Sequence, residues 1–200
     1  MIHECENLGR LNQTLAREIL DREHTEPSVG QSNIGGWQSQ KTLQLWDLPC
    51  TQQLCSLINE NIFAMIRQLI GEDEGRKLNG HWKLYAWANV NRAHDFNGMH
   101  NHTGAFFSGV YYVAAGEGDS SIGPGARIVF QNPSLAPTVV RTMRAPRSLQ
   151  RIFPAQLGFS PRAGLLLIFP GWLEHMVLPH KSDSPRVSVA FDASFLPCPT

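Results

Sequence analysis

Two histidines separated by one residue, His100 and His102, form the densest group of potential metal ligands in the chain. Side chains at positions i and i+2 of an extended strand point to the same side, so both imidazoles can face one point in space. In a polar loop, such a pair can equally be solvated and inert. A third histidine, His175, follows a Pro-Gly turn further along the chain. Two ligands on one strand and a third on a returning strand are typical of mononuclear iron sites with open positions, which favours a metal site here.

A cation suited to a carboxylate follows His175 on the next predicted strand. Arg186 carries a permanent charge on a planar guanidinium, which can bind a carboxylate through two hydrogen bonds. Ser188 lies two residues further on the same face and can donate a hydroxyl hydrogen bond to the same group. We expect this pair to bind the far carboxylate of a dicarboxylate cosubstrate that chelates the metal. A surface ion pair of Arg186 with Asp183 or Glu174 is the alternative.

The elements that must position these residues begin with helices. Apolar residues at helical spacing predict helices over residues 8–22 and 51–71, and Gly71 is expected to end the second. The polar segment 24–41 has the composition of a loop, yet Trp37 beside two glycines indicates packing over the domain. We interpret both helices as support for a sheet.

From residue 80 onward, alternating and continuous apolar runs indicate strands. Residues 82–91 alternate, with one face apolar and the other predicted to line a polar cavity. That second face carries Lys83, Tyr85, Trp87, Asn89 and Asn91. Further strands are predicted at residues 105–114, 126–130, 164–169, 175–178 and 186–191. Two helices followed by about seven short strands predict a mainly β fold, a sandwich or barrel with N-terminal helices as a buttress.

Three connections between the strands are predicted to be irregular. Residues 92–99 form a polar hinge, and a glycine-rich turn covers residues 116–125. The proline-rich segment 132–162 is a long loop of the kind that often forms a lid. Its basic residues are expected to close over a small acidic substrate, and they are Arg141, Arg144, Arg147 and Arg151. Aromatic side chains that could wall a substrate pocket are Tyr85, Trp87, Phe106, Phe107 and Trp172.

The overall composition excludes several classes of function. Basic and acidic residues number 17 each, and this zero formal charge argues against a nucleic-acid or anionic-membrane binder. The four cysteines form no metal-binding or redox spacing. The chain shows no signal peptide and no apolar stretch of the ~20 residues that a membrane-spanning helix needs. We expect a cytoplasmic protein with one domain over residues 1–200, divided into helical support (1–79) and a β core (80–200).

Several segments resemble the iron(II)- and 2-oxoglutarate-dependent oxygenases, and more narrowly a small bacterial group within them. The resemblance spans residues 32–192 and is most specific in its C-terminal part. The segments are Gly35-Gly36-Trp37, residues 87–91 (Trp-Ala-Asn-Val-Asn), His100-Asn101-His102, residues 108–112 (Ser-Gly-Val-Tyr-Tyr), residues 169–175 (Phe-Pro-Gly-Trp-Leu-Glu-His) and Arg186-Val187-Ser188.

The resemblance implies a double-stranded β-helix, a cupin-like jelly-roll buttressed by helices, with the metal at its open mouth. It implies an Fe(II)- and 2-oxoglutarate-dependent dioxygenase that uses O2, releases succinate and CO2, and hydroxylates a small molecule or an amino-acid or peptide side chain. It also implies that His100 is the first metal ligand and His175 the distal one. The residues implied to bind or surround 2-oxoglutarate are Arg186, Ser188, Tyr112, Asn89 and Asn91.

One position departs from the superfamily pattern. The superfamily has His-x-Asp or His-x-Glu with a distal histidine, and here position 102 is a histidine. Either all three histidines bind iron, or Asp95 or Asp192 supplies the carboxylate, or the metal site is lost. Two other readings stay open: a three-histidine cupin-type metalloenzyme that uses no 2-oxoglutarate, and a non-catalytic jelly-roll that binds a ligand. Desaturation or ring closure in place of hydroxylation, and a homodimer, also stay open.

Overall fold

Helices occupy the N-terminal part of the chain and one later connection. The computed structural model describes residues 1–116, 125–134 and 136–198, so most of the turn predicted at residues 116–125 lies outside the described residues. The predicted helices are confirmed, because α1 spans Gly9–Thr25 and α2 spans Pro49–Ile70. The chain also contains shorter helical elements: a 3-10 turn at Leu43–Leu45, α3 at Glu72–Lys77, α4 at Ala136–Thr142 and α5 at Arg147–Gln150.

The strands form two antiparallel sheets. In chain order they are β1 (Ile2–Glu4), β2 (Asn33–Ile34), β3 (Trp37–Gln38), β4 (Gly80–Asn91), β5 (Phe96–His100), β6 (Phe107–Ala114), β7 (Ile128–Gln131), β8 (Gln156–Phe159), β9 (Leu165–Pro170), β10 (His175–Val177) and β11 (Arg186–Pro197). The larger sheet has the order β1-β9-β6-β11-β4-β3, and the smaller has β2-β5-β10-β7-β8. This is the double-stranded β-helix that the resemblance implied, mainly β with N-terminal helices.

The larger sheet has two chemically different faces. Its outer face packs against α1 and α2, and this core includes Leu15, Ile58, Ala88 and Val189. Its inner face turns polar side chains toward the smaller sheet, as the alternation along β4 and β11 predicted. Because successive strand residues point to opposite sides, a core on one face forces the intervening residues of both strands into the space between the sheets.

Two segments differ from their sequence-based expectation. The predicted hinge at residues 92–99 contains most of β5, which pairs with β10 and β2. The segment 132–162 is not irregular throughout, because it carries α4, α5 and β8, and β8 pairs with β7. Both strands contain glycine and polar residues, so their local signal is weak, and their partners come from distant parts of the chain.

The glycine-rich segment before Trp37 connects the two sheets. Gly35 and Gly36 have φ of 69° and 66°, a region that L side chains rarely adopt, and they join β2 in the smaller sheet to β3 in the larger one. Trp37 is buried, as its neighbours indicated, and its Nε1 donates to the carbonyl oxygen of Glu26 at 2.9 Å. Residues 1–79 therefore supply three strands in addition to their helices.

Among the described residues, no helix combines the length and the apolar character that crossing a bilayer requires.

Gly109 marks the tightest packing in the larger sheet. A Cβ at this position of β6 would overlap the ring of Phe191 and the carbonyl oxygen of Leu167. We expect Gly109→Ala to lower the free energy of unfolding by about 1–3 kcal/mol, because neighbouring strands must shift to admit the methyl group. Urea unfolding measures the change. Gly30→Ala is the control, since nothing lies within 4 Å of its Cβ position, and equal midpoints for the two variants would contradict the prediction.

Candidate active site

Three histidines converge at one end of the space between the sheets. His175 begins β10 and lies directly opposite His100, the last residue of β5, across an antiparallel ladder. His102 follows two residues after β5. One nitrogen from each ring belongs to a group of potential ligand atoms that all lie within 4.8 Å of one another. The centroids of the His100 and His175 rings are 4.3 Å apart, and that of His102 lies 5.2 and 5.3 Å from them.

Hydrogen bonds from Nδ1 to backbone carbonyls orient two of the three imidazoles. His100 Nδ1 lies 2.8 Å from the carbonyl oxygen of Gly98, and His175 Nδ1 lies 2.9 Å from that of Leu173. A carbonyl accepts only from a protonated nitrogen, so both Nδ1 atoms donate and both Nε2 lone pairs are available to a metal. Burial lowers the pKa of His100 and lowers the pKa of His175 to about 3, which keeps both rings neutral.

The third histidine has a carboxylate behind it. His102 Nδ1 lies 2.9 Å from Asp192 Oδ1, which also accepts a hydrogen bond from Ser108 Oγ at 3.1 Å. Lys41 Nζ lies 2.7 Å from the other oxygen, Oδ2. Burial raises the pKa of Asp192, but the hydrogen bonds from His102 and Lys41 outweigh it and leave the pKa below its usual value. Asp192 is therefore held as a carboxylate at the rear of an imidazole.

The second acid considered from the sequence lies elsewhere. Asp95 Oδ2 accepts the backbone N–H of Arg92 at 2.7 Å, and its carboxylate faces Gly35 and Gly36. Neither Asp95 nor Asp192 belongs to the group of converging ligand atoms in the described chain.

Arg186 lies deep between the sheets with few partners. Its side chain is 3% exposed, Nη2 donates to Asn91 Oδ1 at 2.6 Å, and Nη1 donates to the carbonyl oxygen of Ala126 at 3.3 Å. Nε has no partner, and within the described residues no carboxylate lies at ion-pair distance from the guanidinium. The surface ion pair with Asp183 or Glu174 is therefore absent. A buried cation without an anion is costly, so this position is suited to an anionic ligand.

Other residues implied for 2-oxoglutarate surround the same narrow space. Ser188 follows Arg186 on the inner face of β11 and pairs across the ladder with Tyr112 of β6. Burial raises the pKa of Tyr112 to about 12, so its hydroxyl keeps its proton. Asn89 also faces this space, which reaches the three histidines at its other end. Most of the predicted site residues thus line one channel between the sheets, and Asn91 contacts it through its hydrogen bond to Arg186.

A larger cavity of about 730 Å³ opens on the other side of His100 and His102. Its walls combine aromatic, amide and hydroxyl groups, including Tyr85, Trp87 and Asn101. Its charged side chains, Lys41 and Asp192, are bonded to each other. Lys41 Nζ also lies 4.2 Å from the ring centroid of Trp87. The predicted polar cavity beside β4 is therefore present, and its wall carries no unpaired charge among the described residues.

Several side chains expected around a substrate lie elsewhere. The four arginines between residues 141 and 151 are exposed and do not line this cavity. Phe106 and Phe107 pack around Trp82, and Trp172 is largely exposed. The ion pair of Lys41 with Asp192 was not predicted, because no pattern in the residues around Lys41 indicates it.

A family model described as "Putative 2OG-Fe(II) oxygenase" matches residues 85–192, more than half of the 200-residue chain. The chain belongs to this family. Iron(II) and 2-oxoglutarate (2OG) are therefore its cofactor and cosubstrate, and the donor set fits them: three convergent imidazoles and a buried arginine whose Nε has no hydrogen-bond partner. No curated protein has a sequence that matches this 2OG-Fe(II) oxygenase.

Solved structures share the fold along nearly the whole chain. The prolyl-4-hydroxylase of Pseudomonas putida has a TM-score of 0.65 at 16% identity, covering 100% of this chain and 92% of its own. HygX of Streptomyces hygroscopicus, with nickel and 2-oxoglutarate bound, has a TM-score of 0.61 at 12% identity, covering 97% and 82%. The epimerase SnoN of nogalamycin biosynthesis has 0.60 at 16% identity, covering 96% and 74%. At these identities the likeness establishes the double-stranded β-helix.

Proposed function

We propose that this oxygenase binds iron(II) through the Nε2 atoms of His100, His102 and His175. In the proposed reaction it hydroxylates a small molecule or an amino-acid or peptide side chain, with release of succinate and CO2. The observation that carries the proposal is the position of Arg186, a buried cation with no carboxylate at ion-pair distance among the described residues, in the same channel as three convergent imidazoles. A dicarboxylate whose one end chelates the metal would place its other end against this cation.

Each residue of the channel has a separate task in the proposed reaction. Arg186 neutralises the C5 carboxylate, and Asn91 orients the guanidinium from behind through its 2.6 Å hydrogen bond. Ser188 and Tyr112 offer hydroxyl donors from neighbouring positions of β11 and β6. Asn89 borders the same space. This arrangement binds the cosubstrate in one orientation before O2 reacts, which is the protein's contribution to cofactor chemistry.

Iron(II) with chelated 2OG supplies the oxidising power, since oxidative decarboxylation of the cosubstrate by O2 is coupled to oxidation of the substrate. The protein holds the three imidazoles in a fixed orientation, because two donate Nδ1–H to backbone carbonyls and the third donates to Asp192. The apolar walls of the channel, which include Val110, Ile128 and Phe169, keep bulk water away from the reacting atoms.

The cavity beside β4 is the proposed substrate site. It borders His100 and His102 on the side away from Arg186 and is large enough for a small molecule or a short peptide segment. Because Lys41 and Asp192 are bonded to each other, the wall favours an uncharged polar substrate with an apolar part over the acidic substrate expected from the sequence. Hydroxylation is proposed because it needs no protein group beyond those described.

The cupin-type alternative, which uses a three-histidine site without 2OG, does not explain why Arg186 is buried beside that site. The non-catalytic alternative does not explain why the three imidazoles converge. The position of Arg186 and the family membership both favour the 2OG-dependent reaction over these two alternatives.

The test is an anaerobic titration of the metal-free wild-type protein with iron(II), followed by 2OG. We expect one equivalent of iron to bind, and a weak visible charge-transfer absorption to appear only when 2OG is added. Iron uptake without this absorption would contradict the 2OG-dependent reaction and favour the cupin-type alternative. Failure to bind iron at all would contradict the metal site itself.

A further inference from the structure

The three histidines differ in what their Nδ1 atoms contact. Gly98 and Leu173 present neutral backbone carbonyls to His100 and His175. His102 instead lies against the carboxylate of Asp192 at 2.9 Å. A carbonyl orients an imidazole, whereas a carboxylate also brings a negative charge and makes the opposite ring nitrogen a stronger electron donor.

The position of Asp192 is determined by contacts on both of its oxygens. Ser108 of β6 lies opposite Asp192 of β11 in the strand register, and its hydroxyl is shared between Oδ1 at 3.1 Å and the carbonyl oxygen of Phe191 at 3.0 Å. Lys41 donates to Oδ2 at 2.7 Å from the segment that follows β3. The side chain of Asp192 is only 14% exposed, so little water competes for these bonds. Two elements from different parts of the chain therefore hold the carboxylate against His102.

The charge of the site explains why a carboxylate is useful here. In the two-histidine, one-carboxylate triad of non-haem iron oxygenases, a carboxylate occupies the place of His102, and replacing it by a neutral imidazole makes the metal site one unit more positive. A carboxylate behind that imidazole places an anionic hydrogen-bond acceptor at the distance of a single ring, and Lys41 on its far oxygen balances the net charge of the pair. The carboxylate does so without occupying a coordination position.

We propose that Asp192 is a positioning residue that acts through His102, because its carboxylate accepts the Nδ1 hydrogen bond and makes Nε2 a stronger donor to the metal. It also retains the proton on Nδ1 and so directs Nε2 toward the metal. Lys41 and Ser108 are the residues that hold Asp192 in this position. The inference rests on the proposed function, in which His102 Nε2 binds the metal.

The first test is Asp192→Asn, a substitution of nearly equal volume. We expect its affinity for Co(II) and for Fe(II), measured anaerobically against a competing chelator, to fall about 10- to 100-fold. Asp183→Asn is the matched control, because it makes the same chemical change at an exposed position outside the site. Its affinity should equal that of the wild type. Unchanged affinity in Asp192→Asn would overturn the inference.

Proton NMR of the Co(II) protein separates positioning from general damage to the fold. The wild type should show three strongly shifted, exchangeable Nδ1–H signals, one from each bound imidazole. In Asp192→Asn we expect one of them, from His102, to move or to exchange faster while the other two stay in place. Movement of all three signals would overturn the inference, because it would indicate a general distortion of the site.

A double-variant cycle tests whether Asp192 acts through His102. In the His102→Ala background, Asp192→Asn should cause no further loss of metal affinity, because the ring that transmits its effect is gone. A further loss of tenfold or more would show that Asp192 binds the metal directly and would overturn the inference. Absence of metal binding by the wild type would overturn the proposed function and this inference together.

Discussion

His175→Ala is expected to abolish metal-dependent turnover of 2OG and to weaken iron(II) binding by more than roughly a hundredfold. Losing a residue that only supports a metal ligand typically weakens metal binding about 10- to 100-fold, and losing the ligand itself should weaken it more. His175 is 4% exposed, and its Nε2 is one of the three ligand atoms in the proposed site. The remaining two imidazoles cannot complete a facial set. Iron binding is measured by anaerobic titration, and turnover by the appearance of succinate.

The control for this prediction is His81→Ala, which removes an exposed histidine from the same protein. It should bind iron and 2OG as the wild type does. Circular dichroism of both metal-free variants checks that the sheets persist. Wild-type iron affinity in a folded His175→Ala variant would contradict the proposed ligand set.

Arg186→Met is expected to weaken 2OG binding by on the order of 10²- to 10³-fold, with iron(II) binding unchanged. The estimate follows from the roughly 2–5 kcal/mol that truncation of one member of a buried, hydrogen-bonded charge pair costs. Methionine retains most of the side-chain length without the charge, so it leaves the C5 carboxylate without a cation. The visible absorption of the iron-2OG chelate, titrated with 2OG, measures the loss.

The stability of the metal-free Arg186→Met protein provides a second measurement. Burial lowers the pKa of Arg186 despite the charge of Asp95, which reflects the desolvation cost of the guanidinium. Arg186→Met removes this cost but also the hydrogen bonds to Asn91 and Ala126, so we expect a free energy of unfolding within about 1 kcal/mol of the wild type. Arg141→Met, at an exposed position, is the control for 2OG binding. Equal 2OG affinity in both variants would contradict the proposed role of Arg186.

Two neighbouring strands, β11 and β6, supply most of the polar side chains of the candidate site. The inner face of β11 begins with Arg186 and Ser188 and continues to Asp192, so one strand contacts both the proposed cosubstrate channel and the rear of His102. Neighbouring β6 contributes Tyr112 beside Ser188 and Ser108 beside Asp192 in the same register. A shift of one residue in this pairing would turn all of these side chains into the apolar core. The register of β11 is therefore as important to the site as the identity of its residues.

Much of this protein could be predicted from the sequence because its strongest signals are local. The alternation along β4 and β11 identified an apolar face and a polar face, since strand residues alternate sides whatever their partners. The apolar spacing of α1 and α2 predicted both helices for the same kind of reason. The residue types at positions 100, 102, 175 and 186 indicated metal and carboxylate chemistry before any contact was known.

Only the tertiary structure decided where the acids lie and which segments complete the sheets. Lys41 and Asp192 are 151 residues apart, and no local pattern could indicate that they bind each other or that Asp192 lies behind His102. Strand β5 is polar and glycine-containing, and it is a strand because β2 and β10 supply its hydrogen-bonding partners. Residue types and periodicity are encoded locally, whereas strand pairing and the partner of a buried charge depend on contacts between distant parts of the folded chain.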